Sequence, residues 1–347
     1  MSYSNASFSG AMIGSVENPG VTWEKNGNLN AGAEFRLLGR LSGTLEFYRR
    51  LTTDMLLLKP MPVSMGFSGF YDNVGSLVNS GMDLTVGYDI FSDRDLWWNV
   101  SMTASTLRNR VLQLTGGGDD IVNGVYIIRE GEEMNTFYMA RSAGVDPATG
   151  EQLYMAYEKD ASGAMIPGSE YMTNSTTEAT SSKYLLGSRI PKVYGSLSST
   201  LRWKGFDLNI LLGWSLGGKV YDTRYYNLME PSFVGQGYHV NALRAWTEPG
   251  QVTDVPRATA TSTAIVSDRF LIDASYLSVK NLRLGYALPA SVCAGMGISS
   301  ARVFVSADNL CLLTHLKGMD PQASFSGSTS YSYTPNRIVS LGVDLKF

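Results

Sequence analysis

The C-terminal residues 337–347 read RIVSLGVDLKF and decide the fold class. Their apolar side chains occupy every second position from Val339 to Phe347, and small or polar residues stand between them. Successive side chains of a β-strand point to opposite faces of a sheet. The alternation therefore predicts a strand with one apolar and one polar face.

The same alternation recurs along the chain, as in MDLTVGYDI at 82–90 and FDLNILLGW at 206–214. It predicts nine strands, over residues 28–38, 41–51, 76–90, 97–112, 193–203, 205–216, 275–288, 301–310 and 337–347. Residues 3–13 are a weaker candidate for a tenth strand. The apolar parity changes near Lys280 and Asn281, which predicts a β-bulge there.

Short and long connections alternate between the predicted strands. Short ones, such as GR at 39–40, follow the first, third, fifth and seventh strands, and long ones follow the others, at 52–75, 113–192, 217–274 and 311–336. A soluble β-sandwich has no reason to place every long loop on one side, whereas a transmembrane barrel has short periplasmic turns and long outer loops. The pattern therefore predicts an all-β, antiparallel transmembrane β-barrel portion with long extracellular loops and short periplasmic turns.

Aromatic residues gather near the predicted strand ends, among them Trp98, Trp203, Trp214, Tyr286 and Phe347. In a barrel they are candidates for girdles at the membrane interfaces, where both the apolar ring and its polar tip find partners. The alternative is that they form the core of a soluble sandwich.

Composition agrees with many short β segments. Charged residues make up 17 % of the chain, against roughly 25 % in soluble domains, and glycine and tyrosine are frequent at 36 and 19 copies. The net charge of -3 does not favour a nucleic-acid partner. The sequence has neither an apolar run of about 18 residues nor a signal peptide after Met1, so we expect an exported form to have lost its leader.

One string resembles a nucleotide site. GWSLGGKV at 213–220 spells G-x-x-x-x-G-K, but Val220 stands where a Ser or Thr would bind magnesium. Bulky Trp214 and Leu216 interrupt the loop, and the preceding strand alternates. We interpret the string as the point where a barrel strand leaves the membrane, with Trp214 facing lipid.

The sequence offers no catalytic, metal or cofactor site. His239 and His315 lie in different long loops without ligands at metal spacing, and no G-x-S-x-G motif occurs. GGGDD at 116–120 lacks most of the ligands of a calcium loop, so a flexible acidic turn is the favoured interpretation over a calcium site. DPATG at 146–150 predicts a turn, because Pro147 presets φ and Gly150 allows a positive φ.

The connection at 217–274 holds the candidate contact residues. Its segment YHVNALRAWTEPG predicts a short helix that Pro249 stops, with Val240 and Leu243 on one side and Trp246 a further candidate for that side. Tyr225, Tyr226 and Trp246 could stack on sugar rings or contact a partner. The alternative is that these three aromatic residues pack the loop against its neighbours.

Six blocks of sequence carry a family resemblance. They occur in the order NPGVTWEKNGNLNAGAEF, NVGSLVNSGMDLTVGYDI, AGVDPATGEQLY, PKVYGSLSSTLRWKGFDLNILLGWSLGGKVYD, YLSVKNLRLGYALP and VFVSADNLCLLTHLKGMDPQ. Together they resemble the C-terminal part of SusC/RagA-type TonB-dependent outer-membrane transporters of Bacteroidetes, from about residue 17 to Phe347.

The resemblance implies a roughly 22-stranded barrel with an N-terminal plug. Such transporters reside in the outer membrane and pair with a SusD-like surface lipoprotein. They import oligosaccharides or peptides, powered by the TonB–ExbB–ExbD complex. The resemblance implies neither an enzyme nor a cofactor.

The sequence departs from the family pattern because it contains no signal peptide, TonB box or plug, and only nine or ten of the expected strands. We therefore expect residues 1–347 to be the C-terminal barrel portion of a longer product that cannot transport alone. The alternative functions are a soluble β-rich binding or adhesive protein and, least favoured, an enzyme built on the P-loop-like string.

Overall fold

A computed structural model of the chain describes residues 17–61, 64, 66, 69–93, 95–114, 119–134, 136–229, 237–259, 265–295, 297–315, 320–323 and 335–347. The strands are β1 (Lys25–Leu37), β2 (Leu41–Thr53), β3 (Leu56–Pro60), β4 (Gly69–Asn73), β5 (Gly75–Ser92), β6 (Leu96–Leu114), β7 (Ile121–Asn123), β8 (Tyr126–Ile128), β9 (Thr136–Val145), β10 (Gln152–Ala156), β11 (Tyr171–Thr173), β12 (Lys183–Ser188), β13 (Val193–Trp203), β14 (Phe206–Leu216), β15 (Lys219–Tyr221), β16 (Leu271–Asp273), β17 (Tyr276–Ala287), β18 (Ser300–Thr314) and β19 (Ile338–Lys346).

Short helices complete the described elements. They are α1 (Thr176–Ser181), α2 (Thr223–Met229) and α3 (Ala290–Gly295), with 3₁₀ turns at Val240–Arg244, Asp268–Phe270 and Pro321–Ala323. None of the helices in the described residues is long and apolar enough to cross a membrane.

One nine-stranded antiparallel sheet dominates the fold, in the order β1-β2-β5-β6-β13-β14-β17-β18-β19. These are the nine strands predicted from the sequence, and no observed strand end lies more than four residues from its predicted position. The possible tenth strand at 3–13 lies outside the described residues. Each strand pairs with the next along the sheet, as expected for an up-and-down barrel wall.

The hydrogen-bond register sorts the side chains into two faces. Direct partners in a ladder share a face, and one row across the sheet joins Leu45, Leu84, Ala104, Gly195, Trp214 and Leu277. The next row joins Glu46, Asp83, Ser105, Tyr194, Ser215 and Tyr276. The sheet therefore has one apolar face, which we call the outer face, and one polar face, which we call the lumen face.

The outer face is exposed although it is apolar. Leu29 is 69 % exposed and Leu341 is 75 % exposed. A continuous apolar surface of this extent requires a non-aqueous environment or a partner. Trp98 and Ser199 also lie on this face, and the Trp98 indole N–H donates to the Ser199 hydroxyl at 3.0 Å.

The two edges of the sheet are not joined to each other. Within the described residues β1 pairs only with β2, and β19 pairs only with β18. The sheet is thus an open part of a barrel wall. In lipid, each edge has backbone groups that need a partner strand.

The predicted bulge is present at Lys280. Asn281 pairs with Leu211 and Val279 with Leu212, so Lys280 is the extra residue between two ladder positions. The Lys280 ammonium donates to Gln322 Oε1 in a loop segment on the lumen side. The bulge therefore aims a cation away from the outer face and restores the apolar parity of β17.

The short connections join the strands at one end of the sheet, measured along the strands, which we call the turn end. The long connections lie at the opposite end, which we call the loop end. Leu38 and Gly39 take φ of 52° and 69°, and Lys204 and Gly205 take 45° and 88°. Consecutive left-handed residues match the twist of tight hairpins, here with three residues between Leu37 and Leu41 and two between Trp203 and Phe206. They allow the chain to reverse without added length.

The connection at 113–192 is more than a loop. It contains all six strands of a second sheet assembly, ordered β11-β10-β9-β8-β7, with β12 also paired to β9. The sequence predicted only a long connection, because five of these strands have three to six residues, and β9, with ten, is buried on both faces over its first half and shows no alternation. The loop end thus carries its own folded layer.

The P-loop-like string crosses from β14 into β15. Gly217 and Gly218 take φ of 78° and 76°, and a Cβ on Gly218 would lie 2.7 Å from the Arg189 carbonyl oxygen. A strand, β15, follows in place of the helix that a phosphate loop requires. The glycines serve a sharp change of direction at the loop end.

Gly195 allows the close approach of β13 to β6 and β14. A Cβ there would lie 1.9 Å from the Thr103 carbonyl oxygen and 2.8 Å from the Trp214 ring. We expect Gly195→Ala to destabilise the intact protein by about 1–3 kcal/mol, because backbone must move. The measurement is a urea unfolding midpoint followed by tryptophan fluorescence in detergent.

Gly27→Ala is the matched control. Gly27 lies on the same outer face, and a Cβ there meets nothing within 4 Å. Its free energy of unfolding should stay within about 0.5 kcal/mol of that of the parent. Equal effects of the two substitutions would contradict the packing argument.

Candidate functional site

The lumen face is a hydrogen-bonded polar wall. The hydroxyls of Thr103 and Ser196 lie 2.8 Å apart, and Asn281 donates to Asp308 at 2.6 Å. These contacts join neighbouring strands, so the polar side chains are held in place across the sheet. A wall of this kind suits the passage of a hydrated, polar solute.

An ion-pair network marks the turn end of the lumen face. Arg302 donates to both carboxylate oxygens of Asp207, with Nε–Oδ1 at 2.9 Å and Nη2–Oδ2 at 2.5 Å. Asp344 accepts from Arg302 at 3.2 Å and lies 3.7 Å from Arg283. Paired guanidinium forks give this network fixed geometry.

An aromatic ring completes the network. The guanidinium carbon of Arg283 lies 3.9 Å from the centre of the Phe304 ring, and that of Arg302 lies 5.3 Å away. Phe304 covers Gly342, where a Cβ would lie 2.3 Å from the ring. Gly342 thus allows the ring to lie flat against the wall under the arginines.

A polar cavity of about 490 Å³ lies on the lumen face of β1, β2 and β5. Its lining includes Glu46, Asp83, Arg50 and Asn79, and Glu46 is the direct cross-strand partner of Asp83. Tyr48 crosses Gly81, and its hydroxyl donates to the Thr106 carbonyl at 3.1 Å. The cavity offers carboxylates, a guanidinium and amides, which can bind hydroxyl groups or peptide groups.

The loop end has two large apolar cores, besides a smaller cluster of Ala140, Tyr154 and Ala179. One joins Met55, Val74, Leu77, Val111, Leu114 and Ile121, where β5 and β6 rise into the loop layer. The other is formed by Phe137, Met139, Tyr221, Met229, Val255 and Phe270. Because segments far apart in sequence share these cores, the loop layer is an ordered part of the fold.

The structure places Tyr225 and Tyr226 together on α2, against the second core. The Tyr225 hydroxyl accepts from the Asn241 amide at 2.7 Å, and its ring meets Phe270 edge-on at 5.6 Å. The Tyr226 ring meets Phe270 at 5.4 Å. Both rings are half-buried, so part of each ring supports the loop and part faces outward.

Trp246 lies apart from that pair and secures a turn. Its indole N–H donates to the Pro147 carbonyl at 3.0 Å, and its ring covers Gly150, where a Cβ would lie 2.4 Å from it. The predicted turn at 146–150 is confirmed, with Gly150 at a φ of 74°. Hydrogen bonds from Ala148 and Thr149 hold the pKa of Asp146 below its ordinary value.

Comparisons with known proteins agree with this architecture. Residues 2–310 match the family described as TonB dependent receptor-like, beta-barrel. The chain belongs to this family. The RagAB peptide importer in its closed-closed state is a structural neighbour with a TM-score of 0.84 and 31 % identity, covering 97 % of this chain and 37 % of that chain.

Curated relatives of the receptor family are similar over almost the whole chain. TonB-dependent receptor P3 of Formosa agariphila is 27 % identical over 97 % of this chain and 36 % of its own length. TonB-dependent receptor SusC of Bacteroides thetaiotaomicron is 26 % identical over 95 % of this chain and 32 % of its own length. The chain thus spans about a third of the length of these relatives.

Several features of this receptor chain escaped sequence reasoning. The Arg302–Asp207 contact and the Glu46–Asp83 pair were not predicted, although polar residues on the lumen parity of a strand signal such contacts.

Of the proposed acidic turn, Asp120 pairs with Arg129 at 2.6 Å, and residues 116–118 lie outside the described residues. The segment at 237–246 forms one 3₁₀ turn, with Val240 and Leu243 69 % and 85 % exposed.

The loop layer of this receptor chain also holds buried polar groups. Burial raises the pKa of Asp268, whose carboxylate accepts from the Ser142 N–H at 2.7 Å. Burial raises the pKa of Tyr184 to about 12, and its ring meets Tyr157 edge-on at 5.3 Å. In the described residues no three His, Cys, Asp or Glu side chains gather as a metal site would require.

Substitution of Trp246 tests whether its ring holds the turn at 146–150 in place. Trp246→Ala removes the ring over Gly150 and the bond to Pro147, so the docked segment should open more often. We expect the amide hydrogens of Gly150 and Arg257, which bond to Asp146 and Gly150 carbonyls, to exchange about tenfold faster or more. Trp246→Phe keeps a ring and should give an intermediate rate. Unchanged exchange in Trp246→Ala would show that the ring does not secure the turn.

Proposed function

We propose that the intact protein is a TonB-dependent transporter of the outer membrane that takes up oligosaccharides or peptides together with a SusD-like surface lipoprotein. The observation that carries the proposal is the continuous antiparallel sheet of nine strands, with one apolar and one polar face and a folded loop layer at one end. Family membership supports uptake and gives no support to an enzyme.

The mechanism that this geometry supports is passage along the lumen face. A ligand held at the loop end would meet the polar cavity with Glu46, Asp83 and Arg50 and then the network of Arg302 and Asp207 at the turn end. Wall groups of this kind exchange hydrogen bonds with a moving solute. TonB–ExbB–ExbD would supply the energy through the part of the protein beyond this chain.

The substrate class is proposed from the relatives. One relative is SusC, and a structural neighbour is described as a peptide importer. Carboxylates, a guanidinium and amides fit both hydroxyl-rich and peptide ligands, so oligosaccharides and peptides remain joint candidates. Tyr225, Tyr226 and Trp246 are proposed as contacts through the ring surfaces that the loop layer leaves open.

An uptake assay tests the function. Cells with the intact gene and cells lacking it would be given a labelled peptide digest or a labelled polysaccharide hydrolysate. We expect the cells that lack the gene to lose accumulation of one of the two mixtures. As the energy control, cells with the intact gene should lose the same accumulation when the proton gradient is collapsed. Recovery of the intact protein without detergent would instead favour the soluble β-rich binding protein.

Alanine variants of the intact protein test the proposed ligand contacts. Tyr226→Ala with Trp246→Ala should weaken ligand affinity about tenfold, as expected when stacking aromatic surfaces are lost. Trp246→Phe is the control, because it keeps a stacking ring. Unchanged affinity and unchanged lipoprotein association would remove these residues as contacts.

The loop layer also presents an apolar surface for the lipoprotein. Leu243 and Val252 are 85 % and 87 % exposed. Thr253 donates to the Arg244 carbonyl at 2.6 Å, so the two residues lie on neighbouring segments. Exposed apolar residues of this kind mark protein contacts when they cluster.

Charge substitution tests that surface. Leu243→Glu with Val252→Glu should reduce the amount of co-purified lipoprotein at least tenfold, because two charges would be buried at the interface. Met172→Glu is the matched control, since Met172 is an exposed apolar residue, at 65 %, elsewhere in the loop layer. Equal co-purification of the double variant and the control would exclude this surface as the contact.

A further inference from the structure

Charge on the outer face is confined to one corner. Within the nine strands of the main sheet, all of which are described, the register places four charged side chains on that face, Lys25, Arg49, Arg108 and Arg110. All four are cationic, all are exposed, and all lie on β1, β2 and β6. The rest of the outer face is apolar or uncharged.

The register fixes how the four are arranged. One row joins Leu29, Arg49, Ser80 and Arg108, and the next row towards the loop end joins Gly27, Leu51, Val78 and Arg110. Arg49 and Arg108 thus flank Ser80 on β5, two strand spacings or about 10 Å apart. The small Ser80 leaves open space between the two long side chains.

The corner lies at the loop end of the apolar band. Arg49 is eight residues along β2 from Leu41, beside the turn end. At about 3.3 Å per residue and a tilt near 40°, this is about 20 Å in height, close to the roughly 25 Å height of an apolar band. The flexible stems let the guanidinium groups reach the interface.

Among the described residues, the side chains of two of the four cations have no partner. Lys25 pairs with Asp54 at 2.9 Å, and Arg110 donates to the Gly131 carbonyl at 3.1 Å. Arg49 and Arg108 make no hydrogen bond or ion pair with any other described residue. A guanidinium facing lipid therefore depends on the membrane for its counter-charge.

We propose that Arg49 and Arg108, supported by Arg110 and Lys25, bind the phosphate groups of an anionic glycolipid in the outer leaflet. Guanidinium groups bind phosphate through paired hydrogen bonds, and anionic headgroups attract basic side chains at a membrane surface. The site faces the membrane and not the lumen, which favours a lipid phosphate over a free ion or an acidic protein segment. The inference rests on the proposed membrane location.

Lipid retention by the intact protein tests the site. The protein would be purified in mild detergent, incubated with bisphosphorylated lipid A or with its dephosphorylated form, and weighed by native mass spectrometry. We expect the parent to retain the bisphosphorylated form and Arg49→Gln with Arg108→Gln to bind it about 30-fold more weakly. Lys substitutions at both positions should fall between, because they keep charge but lose the planar fork.

Arg36→Gln is the matched control, since Arg36 is an exposed arginine on the lumen face of β1. It should retain lipid like the parent. Equal retention by the double Gln variant, equal binding of the dephosphorylated lipid, or full displacement by millimolar inorganic phosphate would each overturn the lipid site. Loss of lipoprotein co-purification with lipid retention intact would instead assign the corner to a protein partner.

The outcome separates this inference from the proposed function. Release of the intact protein from membranes without detergent would overturn both. Membrane insertion and uptake with unaltered lipid retention in the double Gln variant would overturn the lipid site alone.

Discussion

The backbone hydrogen bonding between neighbouring strands of the nine-stranded ladder is the constraint on which the rest depends. In lipid an unpaired group costs several kcal/mol, so a strand cannot slip without exposing both its backbone and its polar side chains. A slip by one residue would move Asp83 or Arg302 to the outer face and Leu84 or Val303 to the lumen. The register is therefore fixed twice, by hydrogen bonds and by the two solvents.

Small residues make this register compatible with large rings. Tyr48 lies over Gly81, Phe304 over Gly342 and Trp246 over Gly150, and in each case a Cβ would lie within 2.4 Å of the ring or hydroxyl. Two of these contacts flatten the lumen wall, and the third closes the loop layer. The same pairing of a glycine with a large ring therefore occurs in two regions, the lumen wall and the loop layer.

The sequence predicted the barrel wall well because periodicity is local. Leu84 and Asp83 reveal their faces through their neighbours, and even the bulge at Lys280 shows as a change of parity. Contacts within the loop layer and between side chains of the lumen face are not local. Trp246 meets Pro147 across 99 residues, and Arg302 meets Asp207 across 95. Tyr154 lies on a strand of five residues, and its ten-residue partner β9 does not alternate, so the six-stranded assembly could not be predicted.

The treatment of arginine differs between the two faces for a physical reason. On the lumen face Arg302 is held by Asp207 and Asp344 in charge-assisted hydrogen bonds of fixed geometry. On the outer face Arg49 and Arg108 have no carboxylate beside them. An acidic partner there would add a second charge to desolvate in lipid, at a cost that its attraction to arginine need not repay. The counter-charge is better supplied by the membrane, so the fold leaves these two arginines open at the height where phosphate is found.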